Sequence, residues 1–115
     1  MNRVIFFKTK KLHKLKKFYL DKIGCEIWLE QADCCIFQFG NMLFGLCDRE
    51  VVDKCGMITF FYETREEVDV MYSKFSSIVE NKPKMNPKYR IYHFFAKDPE
   101  ERAIEFQWFE QKMEI

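Results

Sequence analysis

The alternation of residue types in Asp98–Glu110, near the C-terminal end, restricts the fold more than any other feature of this sequence. Its first residues, Asp-Pro-Glu-Glu, are typical of a turn, because proline presets φ at the second turn position and aspartate hydrogen-bonds nearby backbone. The residues after the turn form two alternating sets, the apolar Ile104, Phe106 and Trp108 and the mixed Ala103, Glu105 and Gln107. Successive side chains of a β-strand point to opposite faces. We therefore expect one face in an apolar core and the other, with a carboxylate and an amide, on a polar surface or cavity.

A second aromatic run, Arg90–Ala96, precedes the turn, and the two runs together predict a β-hairpin. Both plausible strand registers place His93 and Glu105 on one face, directly or diagonally opposite each other. The sequence thus predicts an imidazole and a carboxylate on one surface of the hairpin.

The closing hairpin resembles that of the vicinal oxygen chelate superfamily, which includes glyoxalase I, bleomycin-resistance proteins, fosfomycin-resistance enzymes and extradiol dioxygenases. Glu101 and Arg102 stand where the turn of the family usually has Gly-Asn. The residues that fit the spacing of the family are Phe95, Asp98, Pro99, Ile104, Glu105 and Phe106.

The first predicted helix carries a second similarity. Gly24 stands where a helix commonly ends in a left-handed residue. The Phe18-Tyr19 pair, followed by Ile23-Gly24, is similar to the end of the first helix in the family. The apolar residues that recur at helical spacing are Leu12, Leu15, Phe18, Tyr19 and Ile23.

The remaining apolar runs repeat one order of elements. The first half predicts a strand, this helix and three further strands, with the strands in Arg3–Lys8, Cys25–Leu29, Cys34–Phe39 and Met42–Cys47. The second half predicts a strand, a helix opened by a capping box, a short edge strand and the hairpin, in Gly56–Glu63, Thr64–Val79, Asn81–Tyr89 and Arg90–Glu110. The resemblance implies an α+β fold of two tandem βαβββ modules, which form a curled mixed sheet around a cleft with the helices outside. We expect one domain over residues 1–115, with module one at about 1–48 and module two at about 56–110.

The resemblance also implies where a metal would be held, because most enzymes of the superfamily use side chains from the first and last strands of each module. That metal chelates two neighbouring oxygens of the substrate. The corresponding positions here are Val4, Gly45 (with Phe44 as the alternative), Met57 and Glu105. A catalytic metal of this type needs about three protein ligands, and Glu105 with His93 supplies at most two. We therefore predict no metal and no other cofactor.

The predicted ligand-binding residues combine a polar patch with apolar walls, as small-molecule pockets usually do. The patch consists of Glu105, His93 and Gln107, and the walls of Val4, Met57, Thr59, Phe61 and Phe95. We expect Glu105 to face a cleft open to water, because an unpaired carboxylate is costly to bury, and Glu105→Gln to leave stability nearly unchanged. The alternative is that Glu105 is merely solvated or paired with a lysine.

These patterns favour a metal-independent small-molecule binding protein of the glyoxalase/bleomycin-resistance type, with a small organic ligand that the sequence does not name. One alternative is a small lyase or dioxygenase-like enzyme with a non-standard site, in which Glu105 and His93 act as general base and orienter; no catalytic residue is assigned. Another is a protein-interaction module that uses the lysine-rich first helix. The resemblance implies a homodimer, and the short edge strand near Pro83 and Pro87 leaves a sheet margin to cover.

Composition limits the remaining partners. The chain has 115 residues, of which 48% are hydrophobic, and this is enough for a packed core. A net charge of +1 gives no reason to expect nucleic acid, and no apolar run has the length of a membrane span. The five cysteines form no CxxC pattern. We expect reduced thiols in a cytoplasmic protein without a membrane partner.

Overall fold

The computed structural model describes residues 2–79 and 81–112, and it confirms an α+β fold of two similar βαβββ modules. The first module contains β1 (Ile5–Thr9), α1 (Leu12–Lys17), a π-helical segment (Phe18–Ile23), β2 (Glu26–Glu30), β3 (Cys34–Phe39) and β4 (Met42–Asp48). The second contains β5 (Ile58–Tyr62), α2 (Arg65–Phe75), β6 (Lys84–Asn86), β7 (Ile91–Lys97) and β8 (Ala103–Phe109). Each module forms its own four-stranded mixed sheet.

The chain divides into two compact units that do not follow the module boundaries completely. The first unit is Met1–Cys55 with Asp98–Arg102, and the second is Gly56–Lys97 with Ala103–Ile115. The turn of the closing hairpin thus belongs to the first unit, while its two strands belong to the second.

The first sheet has the strand order β1-β4-β3-β2, with β1 parallel to β4 and the other pairs antiparallel. Its helix-facing side is aromatic. The ring of Tyr19 lies 5.8 Å from that of Phe37 and 5.2 Å from that of Phe44, centroid to centroid. All three side chains are buried, so they form the centre of this core.

The first helix begins as an α-helix and ends as a π-helix. Leu15, Tyr19 and Ile23 are buried as the spacing predicts, whereas Leu12 and Phe18 are half-buried. Gly24 ends the π-helical segment with φ 89°, a left-handed conformation that suits glycine. Both helices are short, and within the described ranges no helix is long and apolar enough to cross a membrane.

The turn Asp98–Arg102 is held by charged and polar groups of the first unit. Arg102, only 1% exposed, donates from Nη1 to Asp98 Oδ2 at 2.7 Å and from Nη2 to Glu100 Oε1 at 3.1 Å. Tyr19 Oη donates to Asp98 Oδ2 at 2.7 Å, and Thr9 Oγ1 donates to Glu100 Oε1 at 2.6 Å. Arg102, which replaces the usual turn asparagine, is therefore a buried ion-pair partner of two carboxylates.

Hydrogen bonds shift the pKa values of Glu100 and Arg102 in this network. Burial raises the pKa of Glu100, but hydrogen bonds from Thr9, the Lys10 backbone and Arg102 outweigh it and hold that pKa below its usual range. Burial lowers the pKa of Arg102, and its bonds to Asp98 outweigh that effect and leave it raised. Both groups are thus stabilised in their charged forms.

The second sheet has the order β5-β8-β7-β6, with β5 parallel to β8. Ile104 and Phe106 of β8 are fully buried, and the Phe106 ring lies 4.9 Å from Phe94 and 5.3 Å from Phe75 of α2. The apolar set of β8 therefore faces the helix, as its alternation predicts. Thr64 caps α2 by accepting from the Glu67 backbone at 3.2 Å, which confirms the capping box.

The expectation of five reduced thiols is wrong at two positions. Cys34 and Cys47 form a disulfide, with their Cα atoms 4.1 Å apart. They are directly opposite each other on the antiparallel strands β3 and β4, so their sulfur atoms meet on one face of the sheet. Cys25 and Cys35 are free and buried, and Cys55 is free and exposed. Burial raises the pKa of Cys25 to about 12, which makes its thiol inert at neutral pH.

Candidate functional site

The candidate site is built around Glu105, which lies on β8 between β5 and β7. Its side chain points away from α2, because Ile104 and Phe106 on either side of it pack against the helix. The register places Thr59 of β5 and Phe95 of β7 directly beside it. We call this side of the second sheet the open face and define it by Thr59, Phe61, His93, Phe95, Glu105 and Gln107.

Both oxygens of the Glu105 carboxylate are hydrogen-bonded. Thr59 Oγ1 donates to Oε1 at 2.9 Å, and His93 Nδ1 lies 2.6 Å from Oε2. Glu105 is only 4% exposed, so the expectation that it faces open water is wrong. The physical reason is that the two neighbouring side chains, rather than solvent, satisfy the carboxylate.

The prediction that His93 shares a face with Glu105 is confirmed. The two residues are diagonal neighbours on β7 and β8 and are not directly opposite each other. His93 is directly opposite Gln107, while Phe95 is directly opposite Glu105. An ionised carboxylate can only accept, so Nδ1 carries the hydrogen of this bond. The imidazole is buried and meets the Phe95 ring edge to face at 5.0 Å between centroids, which fixes its plane.

Gln107 is the third polar residue of the open face. The register places it between His93 on β7 and Phe61 on β5, and its side chain is half-buried. Of the side chains in residues 2–79 and 81–112, Gln107 contributes a buried oxygen, Oε1, that has no hydrogen-bond partner. Such an atom is costly to leave unsatisfied.

The apolar residues near these polar groups are unusually exposed. Phe95 is 56% exposed and Phe61 46%, and Met57, just before β5, is 48% exposed. Phe109, which sequence reasoning missed, meets Phe61 edge to face at 5.3 Å between centroids. The sequence could have predicted this position, because Phe109 follows Glu105 and Gln107 at every second residue of β8 and therefore lies on the same face. Val4, the remaining predicted site residue, belongs to the first unit, where it precedes β1 and is half-buried.

No protein-family model matches the sequence, and no curated protein is significantly similar to it. Solved structures do match over almost the whole chain. An integron cassette protein from the mobile metagenome of the Halifax Harbour sewage outfall superposes with a TM-score of 0.78 at 19% identity, covering 95% of this chain and 98% of its own. A glyoxalase/bleomycin resistance protein/dioxygenase family enzyme from Burkholderia phytofirmans gives 0.78 at 15% identity, with 91% and 95% covered.

A lactoylglutathione lyase from Agrobacterium tumefaciens gives a TM-score of 0.73 at 18% identity, with 94% of this chain and 92% of that chain covered. The chain has the glyoxalase/bleomycin-resistance fold. The fold that the resemblance implies is thereby confirmed. Sequence identities of 15 to 19% show that the fold is shared, but they do not show that the functional site is shared. The chemistry of the site has to be inferred from the residues that this chain has there.

The residues present do not fit the metal site that this fold often carries. In the first unit, Phe44 contacts Tyr19 on the helix-facing side, so Gly45 is the residue of β4 on the other side. A Cβ at Gly45 would lie 2.6 Å from the Phe6 ring, which shows that this ring covers the glycine. Neither Phe6 nor the preceding Val4 has an atom that binds a metal.

The corresponding strands of the second unit offer Glu105 with the hydroxyl of Thr59, or with the thioether of Met57 two residues earlier. Over the described ranges, no group of three or more His, Cys, Asp or Glu side chains is placed to hold a metal ion. The donor set at these positions is therefore that of a hydrogen-bonding site, and the absence of a metal stays a prediction.

Proposed function

We propose that the protein binds a small organic molecule on the open face of the second sheet, without a metal. The observation that carries the proposal is a buried, hydrogen-bonded Glu105 with exposed aromatic side chains beside it, Phe95 at 56% and Phe61 at 46%. A convergent polar group among apolar walls is how small-molecule sites are usually built.

Folding alone gives no reason for this arrangement. A buried carboxylate loses its hydration, and a well-packed apolar residue at the same position is often as stable or more stable. Aromatic rings that are about half exposed contribute less to folding stability than buried rings do, and grouped apolar exposure is typical of binding surfaces. Both features are accounted for when a ligand covers the rings and meets the polar groups.

The test is a screen of small aromatic and aliphatic compounds by thermal shift, with hits confirmed by NMR titration, because any ligand of the folded state raises its stability. We expect Phe95→Ala and Phe61→Ala to abolish the shifts that hits cause in the wild-type protein. Tyr89→Ala is the matched control, since Tyr89 is 63% exposed but lies in the turn before β7. Hits that survive both substitutions would place binding elsewhere and overturn the proposal.

The pair His93 and Glu105 favours metal-free catalysis as a second candidate function. With Nδ1 held at 2.6 Å from the carboxylate, a neutral His93 keeps the lone pair of Nε2 as a general base, and Glu105 orients it. A bound compound that is consumed by the wild-type protein and not by His93→Gln would support this candidate. A compound recovered unchanged leaves binding as the function.

A homodimer is the assembly we propose, with β2 as the strand that supports it. β2 is an edge strand of the first sheet, and all of its residues are exposed. Three of these exposed side chains are large and apolar, namely Ile27, Trp28 and Leu29. Exposed apolar edges are normally covered. Light scattering at micromolar concentration should give twice the mass of the chain, and Trp28→Lys should give the monomer. We also propose a cytoplasmic location, in which the Cys34–Cys47 bond would be an exception, because disulfides are rare in that compartment.

A further inference from the structure

Charge is distributed unevenly along this chain. The first 25 residues contain eight Lys and Arg residues and one acidic residue, Asp21, whereas the other 90 contain eleven Lys and Arg residues and seventeen acidic residues. The net charge of +1 therefore combines a strongly basic N-terminal stretch with an acidic remainder. An asymmetry of this kind points to a region that binds an oppositely charged partner.

Four of these eight cations lie together at the start of the first helix. We call them the basic face, and they are Lys10, Lys11, Lys14 and Lys17. All four residues are exposed. Lys11 is the residue before α1, and Lys14 and Lys17 follow it at intervals of three residues, which places neighbouring side chains close together on the helix surface. Like charges at such short intervals repel each other.

No carboxylate of the described residues neutralises the basic face. In residues 2–79 and 81–112, none of its four ammonium groups is within ion-pair distance of an Asp or Glu side chain. Lys16 of the same helix does pair with Glu30 of β2. The helix thus uses a carboxylate where the fold supplies one, and the lysines of the basic face are left unpaired.

Backbone hydrogen bonds hold the start of the basic face in place. The N–H of Lys10 donates to Glu100 Oε2 at 2.9 Å, and the N–H of Lys11 donates to Thr9 Oγ1 at 2.9 Å. Thr9 and Glu100 are buried and hydrogen-bonded to each other. The backbone from which these two lysines extend is therefore ordered before any partner binds, which reduces the entropy lost on binding.

The basic face also departs from the pattern that stabilises a helix. Lys11 stands at the N-cap without a capping hydrogen bond from its side chain, and the first turn of α1 has no acidic residue. Cations are unfavourable there, because the helix dipole is positive at its N-terminus. The second helix follows the stabilising pattern, with the capping Thr64 and with Glu66 and Glu67 in its first turn. A local feature that lowers stability is expected where function requires it.

We propose that the basic face is a docking surface for an acidic segment of another protein, in which carboxylates are spaced to meet neighbouring lysines. Each lysine then pairs as Lys16 does within the chain. The partner also neutralises the unfavourable charge at the start of α1. This surface belongs to the first unit, so it does not depend on the proposed function, which concerns the open face of the second sheet.

The residues around the basic face favour a protein over other polyanions. A basic helix that binds a membrane inserts an apolar face, but Leu15, Tyr19 and Ile23 are buried within the protein. Nucleic acid presents a uniform row of phosphates, and the exposed carboxylate of Asp21, four residues after Lys17, repels such a row. A protein segment can place a hydrogen-bond donor or a cation opposite Asp21.

The experiment titrates a short polyglutamate peptide into the isotope-labelled protein at low ionic strength and follows the backbone NMR signals. We expect saturable shifts at residues 10–17. A triple variant with Lys11→Glu, Lys14→Glu and Lys17→Glu should bind the peptide at least about 10-fold more weakly. The matched control makes the same change of charge at exposed lysines of the second unit and should stay within about 2-fold, with Lys82→Glu, Lys84→Glu and Lys88→Glu.

Equal losses in the two triple variants, or no saturable binding of the peptide at residues 10–17, would overturn the proposal. Tighter binding of a short DNA duplex through the same lysines would replace the protein partner by nucleic acid. Tighter binding of vesicles made from equal parts of phosphatidylserine and phosphatidylcholine would replace it by a membrane. A dimer that the basic-face variant converts to a monomer in light scattering would make a second copy of the chain the occupant, and each of these three results contradicts the proposal.

Stability gives a second readout, in the opposite direction to binding. Lys11→Asp introduces a capping carboxylate at the positive end of the helix, so the urea midpoint should rise while the peptide binds more weakly. A lower midpoint would show that Lys11 serves folding rather than binding and would contradict the proposal.

Discussion

Glu105 and His93 are bonded at 2.6 Å between Oε2 and Nδ1, diagonally across β8 and β7, and both side chains are at least nine-tenths buried. Each of the two side chains supplies the hydrogen-bond partner that the other one needs in order to be buried. Removing one leaves a group whose partner is gone in a place that water hardly reaches, which has a measurable effect on stability.

The pair should therefore show strong coupling in a double-mutant cycle. His93→Leu leaves the carboxylate with Thr59 alone and should cost about 3 kcal/mol of unfolding free energy. Glu105→Leu leaves two unsatisfied donors and should cost about 1–3 kcal/mol. The double variant should lose at least about 1 kcal/mol less than the sum of the two. Urea unfolding measures all four proteins, and additive losses would show that the bond contributes nothing.

Glu105→Gln follows from the same geometry. An amide keeps one accepting oxygen for two donors, so we expect a loss of about 1–3 kcal/mol rather than the unchanged stability that an open cleft would give. Thr59→Val in the Glu105→Gln background should add little, because its partner is already impaired. An unchanged urea midpoint in Glu105→Gln would mean that solvent does satisfy the carboxylate.

The two faces of the second sheet should respond differently to truncation. Phe106→Ala removes a fully buried ring between Phe75 and Phe94 and should cost about 3–5 kcal/mol through lost burial and a cavity. Phe95→Ala, at a ring that is 56% exposed, should stay within about 0.5 kcal/mol. Equal losses in chemical denaturation would show that the open face is packed.

Stability should fall in acid partly through Glu100. Its folded pKa lies below the ordinary value of 4.5, so the unfolded chain binds more protons in that range and stability rises with pH. The contribution is complete above about pH 5.5 and is lost as the pH falls through the folded pKa. Urea unfolding at pH 6 and at pH 3 should show a smaller difference for Glu100→Gln than for the wild-type protein. An equal difference would assign the acid sensitivity to other groups.

The disulfide can be counted directly. Alkylation of the denatured protein without reductant should modify three cysteines, and five after reduction, as intact mass spectrometry would show. Cys34→Ser should lower stability by about 3 kcal/mol, because the bond closes a loop in the unfolded chain. Cys35→Ser is a control for the loss of a neighbouring sulfur atom. Five modified cysteines before reduction would contradict the bond.

Much of the fold followed from local patterns. The alternation in β8 predicted which face of the strand is buried, and Thr64 with Glu67 predicted the start of α2. The common face of His93 and Glu105 was also predictable, because both plausible registers of the hairpin pair residues of equal parity. Such features are predictable because each of them depends on one residue and its close neighbours in the sequence.

The features that were missed depend on partners far along the chain. From the sequence, Arg102 is interpreted as an exposed charged residue of the turn. Its burial depends on the ion pairs with Asp98 and Glu100 and on a hydrogen bond from Nε to the backbone oxygen of Asp53 at 3.0 Å. The Cys34–Cys47 bond requires the register of β3 and β4, which the Gly40-Asn41 turn alone did not specify. The burial of Glu105 depends on Thr59, whose hydroxyl role sequence reasoning did not assign.

The placement of Asp98–Arg102 in the first unit bears on how such a chain can be divided or assembled in evolution. A fragment that ended after Cys55 would lack the carboxylates that accept from Thr9 Oγ1, from the Lys10 backbone and from Tyr19 Oη. The first module, although it repeats the element order of the second, is thus not self-sufficient as it stands.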